Sequence, residues 1–338
     1  MKPKERVYST LAGKPVDRPA AMPITMMWAA DLIGVPYKTY ATSAETQARG
    51  QIETARVAGF DHVSVISDPC CEAADLGAAI YYPDDAPPAV IEESALLSDT
   101  AALARLRPCD PHRAGSRMAN RVQAVRLLRE QIGDTHLIEG WIEGPCAESA
   151  DLRGINTLMT DYFDDEDFVH DLAAFAVDNA IRFAKAQLEA GADIIGIGDA
   201  AASLVGPAIY DEFVLPHERR LVEAIHALGG RVRLHICGNT TPLLAGMGSL
   251  GCAIVDLDTS VDMGQARDIM GPSQVLLGNV HTVNTVKNGT PADVLRELEA
   301  CRAKTRRAWI AGAGCEIPRG SPLANVKVFA ALEPVSGI

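Results

Sequence analysis

The chain has 338 residues, of which 48% are hydrophobic and 22% are charged, and its formal net charge is −13. This composition is typical of a soluble globular enzyme and excludes a disordered chain. The negative net charge argues against a nucleic-acid binder, because neutralising phosphates needs clustered lysine and arginine. The sequence also lacks a run of about 18 apolar residues, which a membrane-spanning helix needs.

Eight cysteines occur without a CxxC pair, and residues 1–6 lack the apolar stretch of a signal peptide. We therefore expect a cytoplasmic, reduced protein whose cysteines are core residues or metal ligands. A homodimer is compatible with these features.

Apolar segments with strand character alternate with segments of helical periodicity. A helix at residues 3–13 precedes the first strand, and a second helix begins near Trp28. Further helices are predicted at about residues 43–58, 148–161, 165–190, 207–228, 242–250, 263–270, 291–306 and 322–332. The eight predicted strands are residues 20–25, 61–67, 136–142, 193–197, 232–237, 253–257, 275–279 and 308–311.

One stretch, residues 70–135, departs from this alternation and is predicted to be a long excursion. Its Tyr81–Pro88 segment suggests a hairpin, and a helix is expected at about residues 115–132. Eight strands alternating with helices, without an obvious linker, predict a single-domain α/β fold over residues 1–338, the (β/α)₈ TIM barrel. A doubly wound sheet is the alternative, although it normally has fewer strands.

The segment Arg231–Thr240, RVRLHICGNT, contains the pattern from which we predict a metal site. His235 and Cys237 are two apart in a predicted strand and so point to the same side. Imidazole and thiolate groups are ligands that zinc prefers, and Cys315 ends another apolar run. Three protein ligands with one open position are the catalytic arrangement of zinc. The alternative is a core histidine with two buried thiols.

In a barrel, functional residues lie at the carboxyl ends of the strands. Glu143 is a candidate acid, base or fourth zinc ligand, with an exposed loop carboxylate as the alternative. Asp199 is interpreted as an acceptor behind a ligand, a substrate contact or a helix N-cap, the last being the commonest for aspartate. His281 is assigned to hold a substrate or a partner, unless it is structural. Other polar residues at predicted strand ends are Asp68, Asp258 and Glu316.

These residues also carry a resemblance to a known family. The run VRLHICGNT at residues 232–240, the Gly278-Asn279 pair and the GCEIP run at residues 314–318 resemble the uroporphyrinogen decarboxylase superfamily. Within it, the match is to the zinc-dependent corrinoid methyltransferase branch, for which the combined HxC and GCEIP pattern is specific. The similarity extends over most of the chain and includes residues 4–19 and 191–216.

The resemblance implies an enzyme that moves a methyl group between a corrinoid (cobalamin) protein and a small thiol or methoxy compound. Zinc would bind the thiol or the ether oxygen at its open position and act as a Lewis acid. Both a thiol such as coenzyme M and a methyl ether are compatible with the sequence. A barrel of this length leaves no room for a separate cobalamin domain, so the corrinoid is expected on a partner protein.

Two other hypotheses are a tetrapyrrole decarboxylase that needs no metal and a non-catalytic barrel that binds a corrinoid protein. The decarboxylases carry an arginine-bearing PxWxMRQAGR motif, whereas residues 23–30 here read PITMMWAA, without an arginine. A porphyrinogen with many carboxylates needs cationic partners, so decarboxylase activity is disfavoured. The Met26–Trp28 stretch suggests an apolar pocket wall instead, with burial in the core as the commoner fate of such residues.

Overall fold

The computed structural model describes residues 1–306 and 308–333. Its strands are β1 His62–Ser64, β2 Ile80–Tyr81, β3 Ala89–Val90, β4 Leu137–Glu143, β5 Ile194–Gly198, β6 Val232–Ile236, β7 Ile254–Leu257, β8 Val275–Leu277 and β9 Trp309–Ile310. Seven of them form a curled parallel sheet at the centre in the order β1-β4-β5-β6-β7-β8-β9, and β2 and β3 form a separate antiparallel hairpin.

Helices connect successive strands of this sheet, as parallel neighbours require. The α-helices of the described residues are α1 Pro3–Leu11, α2 Met27–Leu32, α3 Tyr37–Thr42, α4 Ala44–Ala58, α5 Cys71–Leu76, α6 Arg117–Ile132, α7 Pro145–Arg153, α8 Ile155–Asp164, α9 Glu166–Glu189, α10 Gly206–Ile209, α11 Leu215–Ala227, α12 Leu244–Ser249, α13 Met263–Met270, α14 Pro291–Thr305 and α15 Leu323–Lys327. Two π-helical turns, Tyr210–Val214 and Thr282–Lys287, interrupt the pattern. Within the described ranges, no helix is long and apolar enough to cross a membrane.

The predicted α/β class is confirmed, but the predicted eight-stranded closed barrel is not, because the sheet has seven strands. The missing strand is the first one, residues 20–25, in which Ala21 forms only an isolated parallel bridge to Ala311. Backbone hydrogen bonds still join this segment to both edges of the sheet, from Met22 N to Ala311 O and from Asp61 N to Ala21 O, each at 2.9 Å. The Ala21 N–H donates instead to the Asp61 carboxylate at 2.8 Å, which breaks the regular ladder.

Within the excursion, the hairpin formed by β2 and β3 and the helix α6 follow the prediction. The predicted helix at residues 148–161 is instead two helices, α7 and α8. Gly154 separates them with a φ of +85°, a left-handed conformation that favours glycine and ends a helix. Residues 307 and 334–338 of the predicted single domain lie outside the described residues.

The interior of the curled sheet is apolar at the amino ends of the strands and polar nearer their carboxyl ends. Helix α1 contributes Val7 to the apolar end. The residues packed with it there are Ala20, Met22, Leu137, Ile194, Ile254, Val275, Leu277 and Ile310. The polar part contains His62, Glu139, Arg233, His235 and Asp256, all at most 4% exposed. The functional candidates therefore lie at the polar end, above an apolar base.

Two glycines of β5 make room for a tryptophan inside the sheet. A Cβ at Gly196 would lie 2.2 Å from Trp141 Cε3, and one at Gly198 would lie 3.0 Å from Trp141 Cζ2. The Trp141 indole therefore fills the interior beside β5. Its Nε1 donates to Glu143 Oε1 at 3.3 Å, which holds that carboxyl group at the carboxyl end of β4.

Candidate metal centre

Three side chains from two distant segments of the sequence converge where β6 ends. His235 lies in β6 and Cys237 directly follows that strand, with their Nε2 and Sγ atoms 3.1 Å apart. Cys315 follows β9, and its Sγ lies 3.7 Å from that of Cys237. Gly314 allows this approach, because a Cβ there would lie 2.1 Å from Thr259 Oγ1.

The donor atoms fit a zinc ion. Two thiolates bound to one tetrahedral zinc at about 2.3 Å each lie about 3.8 Å apart, close to the observed Sγ–Sγ separation of 3.7 Å. One ligand atom from each of the three residues lies within 4.8 Å of the others, and no other such group of His, Cys, Asp or Glu occurs among the described residues. Cys237 and Cys315 are partly exposed, so the group is accessible from solvent.

The protonation of the three groups also suits a cation. A hydrogen bond from Cys237, together with His235, lowers the pKa of the Cys315 thiol to about 4. The same sulfur–sulfur hydrogen bond, with burial, raises the pKa of Cys237. Burial acts to lower the pKa of His235, but Cys237 and Asp256 together hold it well above its usual value. One thiolate is therefore ready at neutral pH, and a metal ion would displace the other protons.

A row of charged residues behind His235 was missed from the sequence. His235 Nδ1 lies 3.0 Å from Asp256 Oδ2 on β7. Arg233, on the same side of β6 as His235, donates to Asp256 Oδ2 from Nη2 at 2.6 Å and to both Glu139 oxygens at 3.2 Å. The alternation of Arg233, His235 and Cys237 at spacings of two residues is the signal that could have found Arg233, since all three share one face.

Glu143 is buried beside other carboxylates at the carboxyl ends of β1 and β4. Its backbone N–H donates to Glu72 Oε1 at 2.9 Å. Burial, and next the Glu72 carboxylate, raise the pKa of Glu143 well above its usual value. The structure thus places Glu143 in the interior, and the alternative of an exposed loop carboxylate is wrong. We call Asp68, Glu72, Glu143, Glu148 and Asp151 the acidic cluster.

Arginines balance only part of the acidic cluster. Arg117 pairs with Asp68 at 2.5 Å, and Arg121 lies 3.8 Å from Glu72. Glu148 is 2% exposed, and neither of its carboxylate oxygens has a hydrogen-bond partner. Burial, followed by Glu72 and Asp151, raises the pKa of Glu148 well above its usual value. The cluster therefore favours a protonated Glu148.

We expect Glu148→Gln to raise the free energy of unfolding at pH 8 by about 1–3 kcal/mol, because a neutral amide does not have to take up a proton on folding or be charged beside Glu72 and Asp151. A carboxyl group whose pKa is raised by folding stabilises the protein below its unfolded pKa, and this contribution is lost as the pH rises through the folded pKa. The gain from Glu148→Gln should therefore shrink as the pH falls from 8 toward 5. Denaturant unfolding of the zinc-loaded protein at both pH values measures it.

The matched control is Glu189→Gln, because Glu189 is 57% exposed and pairs with Lys185. An exposed ion pair contributes at most about 1 kcal/mol, so this change should bring no gain at pH 8. A Glu148→Gln protein that is less stable than the unchanged chain at pH 8 would contradict the expectation.

Asp199 follows β5 and is fully buried. Its carboxylate accepts hydrogen bonds from Ala147 N at 2.6 Å and Cys146 N at 3.4 Å, in the first turn of α7. Asp199 therefore does cap the N-terminus of a helix, but this helix is α7, which comes before Asp199 in the chain, and not the helix that follows it. Burial raises the pKa of Asp199 to about 6. Its backbone N–H donates to His235 O at 3.0 Å, so it adjoins the metal centre.

His281 is not brought into contact with the three ligands. Its Nδ1 accepts a hydrogen bond from the backbone N–H of Asn284 at 3.1 Å, and the backbone N–H of His281 donates to Glu297 Oε2 at 3.0 Å. The side chain thus caps the π-helical turn Thr282–Lys287. The structural interpretation of His281 is supported by these contacts, and a direct catalytic role stays a prediction.

The Met26–Trp28 stretch lies against the segment that carries Cys315. Met27 N donates to Glu316 Oε1 at 2.6 Å, and the buried Trp28 donates from Nε1 to Ser321 O at 2.9 Å. Burial raises the pKa of Glu316 to about 7. Trp28 is 5% exposed and belongs to the core, while Met26 and Met27 are partly buried and remain available to line a pocket.

The string Asp110–Gly115, DPHRAG, has the D-x-H-x-x-G spacing of cobalamin-binding domains. It forms an exposed turn before α6, in which His112 N donates to Asp110 Oδ1 at 3.0 Å. This turn belongs to the excursion of the α/β unit. Among the described residues, the string is therefore not part of a separate cobalamin-binding domain.

The sequence matches the family model described as uroporphyrinogen decarboxylase (URO-D) over residues 2–332. The chain belongs to the uroporphyrinogen decarboxylase (URO-D) family. The predicted membership is thereby confirmed. The chain is 32% identical to "Methylcobamide:CoM methyltransferase MtbA" of Methanosarcina mazei over 331 residues. The aligned region covers 96% of this chain and 95% of that protein.

A second relative in the URO-D family covers less of the chain. The "Uroporphyrinogen decarboxylase" of Nocardia farcinica is 33% identical over 190 residues, which are 54% of this chain and 51% of that protein. Among solved structures, "methyltransferase from Methanosarcina mazei" superimposes with a TM-score of 0.84 over 98% of both chains at 23% identity. At that identity the superposition shows a shared fold.

Proposed function

We propose that this chain is a zinc-dependent methyltransferase that moves a methyl group between a corrinoid protein and a small thiol or methoxy compound. The observation that carries the proposal is the convergence of His235, Cys237 and Cys315. Similarity to a methylcobamide:CoM methyltransferase over 96% of the chain supports the same reaction class. The decarboxylase relative covers only 54% of it.

The three ligands would hold zinc at the carboxyl ends of β6 and β9, where barrel enzymes have their active sites. When bound, zinc supplies a Lewis acid that polarises an ether oxygen or lowers the pKa of a thiol. Partial exposure of both cysteines leaves one side of the site accessible to a small substrate. Residues 20–22 hydrogen-bond to both edges of the seven-stranded sheet, and we propose that they complete the wall around the site without forming an eighth strand.

Glu143 is proposed as the group that holds a proton near the substrate. Its position in β4 pairs with Gly198, and Gly198 pairs with His235, so the two side chains lie in one row across the sheet. Trp141 donates to Oε1, which leaves Oε2 to carry the proton that the raised pKa favours. The role proposed for Asp199 is supported by its hydrogen bond to the backbone of His235. A catalytic role for His281 stays a prediction, because its ring caps the turn that follows it.

The corrinoid is proposed to arrive on a partner protein in the cytoplasm, as the similarity to a methylcobamide:CoM methyltransferase over 96% of the chain suggests. Its large ring system must approach the face on which Cys237 and Cys315 are exposed. A barrel that binds such a partner without catalysis would share this surface, and turnover separates the two functions.

A methyl-transfer screen tests the proposal and sets its direction. The zinc-loaded chain is incubated with methylcobalamin and a series of thiols, and separately with cob(I)alamin and a series of methyl ethers. We expect enzyme-dependent conversion of the corrinoid, followed by its absorption spectrum, in one of the two series. Identical chain treated with chelator is the control and should lose the activity.

The screen also has outcomes that contradict the proposal. Transfer in neither direction, with the partner corrinoid protein supplied, would exclude methyl transfer as the function. Porphyrinogen turnover by chelator-treated protein would establish the decarboxylase instead.

A further inference from the structure

The zinc ligand His235 is one end of a buried chain of charged side chains. From His235 the chain runs through Asp256 and Arg233 to Glu139, and Glu139 lies 3.6 Å from His62 Nε2. Each member is at most 4% exposed. These groups come from four strands of the sheet, β1, β4, β6 and β7, and they face its interior across β5.

The two nitrogens of the His235 ring face different partners. Nε2 faces Cys237 Sγ at 3.1 Å, and Nδ1 faces Asp256 Oδ2 at 3.0 Å. A carboxylate at this distance is placed to accept the hydrogen of Nδ1, which would leave the Nε2 lone pair for a metal ion. His235 and Asp256 are register partners in adjacent strands, so the backbone ladder itself sets this pairing.

Arg233 in turn fixes Asp256. The guanidinium donates to Asp256 Oδ2 from Nε at 3.2 Å and from Nη2 at 2.6 Å, while Nη1 reaches both oxygens of Glu139 at 3.2 Å. Because Arg233 is held from both sides, the carboxylate of Asp256 has little freedom to turn away from the imidazole.

We infer that Asp256 is the positioning residue of the zinc ligand His235, and that Arg233 and Glu139 hold it in place. This inference rests on the zinc-dependent function proposed above. Asp256 touches neither substrate nor metal and acts through the imidazole. Its contribution should therefore appear in metal affinity and not only in turnover.

The test is a zinc titration of chelator-stripped protein in competition with a chromophoric chelator. We expect Asp256→Asn to weaken zinc binding by about 10–100-fold, the usual effect of removing the partner of a metal-bound histidine. Glu139→Gln should weaken it less, in the same direction, because Glu139 acts through two intervening groups. In the cobalt-substituted protein, Asp256→Asn should also shift the visible absorption bands.

Asp61→Asn is the matched control. Asp61 is equally buried and pairs with Arg6 and Arg18, but it lies just before β1, outside the buried chain of charged side chains, and forms no ion pair with a zinc ligand. It should lose stability while keeping the zinc affinity and cobalt spectrum of the unchanged chain. A loss of affinity in Asp61→Asn equal to that in Asp256→Asn would overturn the inference, because the effect would then be general destabilisation.

Zinc affinity in Asp256→Asn equal to that of the unchanged chain would also overturn it. If Asp256→Asn does not fold, Glu139→Gln decides, and an unchanged affinity and cobalt spectrum there count against the inference. If the unchanged chain itself binds no zinc, the result overturns the proposed zinc-dependent function and not only the role of Asp256.

Discussion

Replacing Cys315 with alanine should release the zinc ion and reduce methyl transfer by at least about 100-fold, since a Lewis-acid metal contributes several kcal/mol to the barrier. The unchanged chain is expected to contain about one zinc ion, as a single three-ligand site predicts. His235→Ala and Cys237→Ala should have the same effect, because each removes one of the three donor groups of the candidate metal centre. Metal analysis of the purified proteins, with activity measured in parallel, checks this expectation.

Cys252→Ala is the control for these substitutions. Cys252 is a buried cysteine that is not one of the three candidate metal ligands, so its loss should leave both zinc content and activity unchanged. Full zinc content in Cys315→Ala, or a metal-free unchanged chain at neutral pH, would contradict the assignment of the three ligands.

Replacing Arg233 with methionine should destabilise the protein by about 3–5 kcal/mol, the cost of leaving buried charges without their partner. Arg233 is fully buried, and its removal leaves Glu139 and Asp256 facing each other without a cation. Methionine keeps the aliphatic part of the arginine side chain and removes the guanidinium, so the loss would mainly reflect the missing charge and its hydrogen bonds. Denaturant unfolding at pH 7 measures the change.

Arg220→Met provides the comparison, because Arg220 pairs with Asp178 at the surface, where the two side chains are 47% and 52% exposed. Its loss should cost at most about 1 kcal/mol. Equal destabilisation by the two substitutions would show that burial of the Arg233 pair is not the source of the effect.

A larger loss at pH 8 than at pH 5 is a further signature of Arg233→Met. Without the guanidinium, burial would raise the pKa of both carboxyl groups, and a raised folded pKa stabilises only below the unfolded value. Acidification should therefore recover part of the lost stability.

The three residues that converge at the candidate metal centre could be predicted from the sequence because their signals are local. His235 and Cys237 share one face of a strand by their spacing, and Cys315 ends another apolar run in a motif that resembles a known family. Seven of the eight predicted strands are present for a similar reason, since short apolar segments bounded by glycine and polar residues identify buried parallel strands. The remaining prediction, the first strand at residues 20–25, was wrong. Asp61, which is distant in sequence, accepts the Ala21 N–H hydrogen bond that a regular strand ladder would have used.

The surroundings of the ligands depended on tertiary structure. Asp199 precedes one helix in sequence yet caps another, α7, because β4 and β5 are neighbours in the sheet. His281 follows a strand at the expected end but turns to cap its own π-helical turn. A strand-end position therefore gives the location of a side chain and not its direction.

The sequence by itself determined the α/β class, the family and the three candidate zinc ligands, because periodicity, motif and spacing are properties of short segments. Only the tertiary structure decided that Asp256 stands behind His235 and that Arg233 lies between Asp256 and Glu139. Glu139, Asp256 and the pair Arg233 and His235 lie on three different strands. The register of a parallel sheet, which no short segment encodes, brings them together.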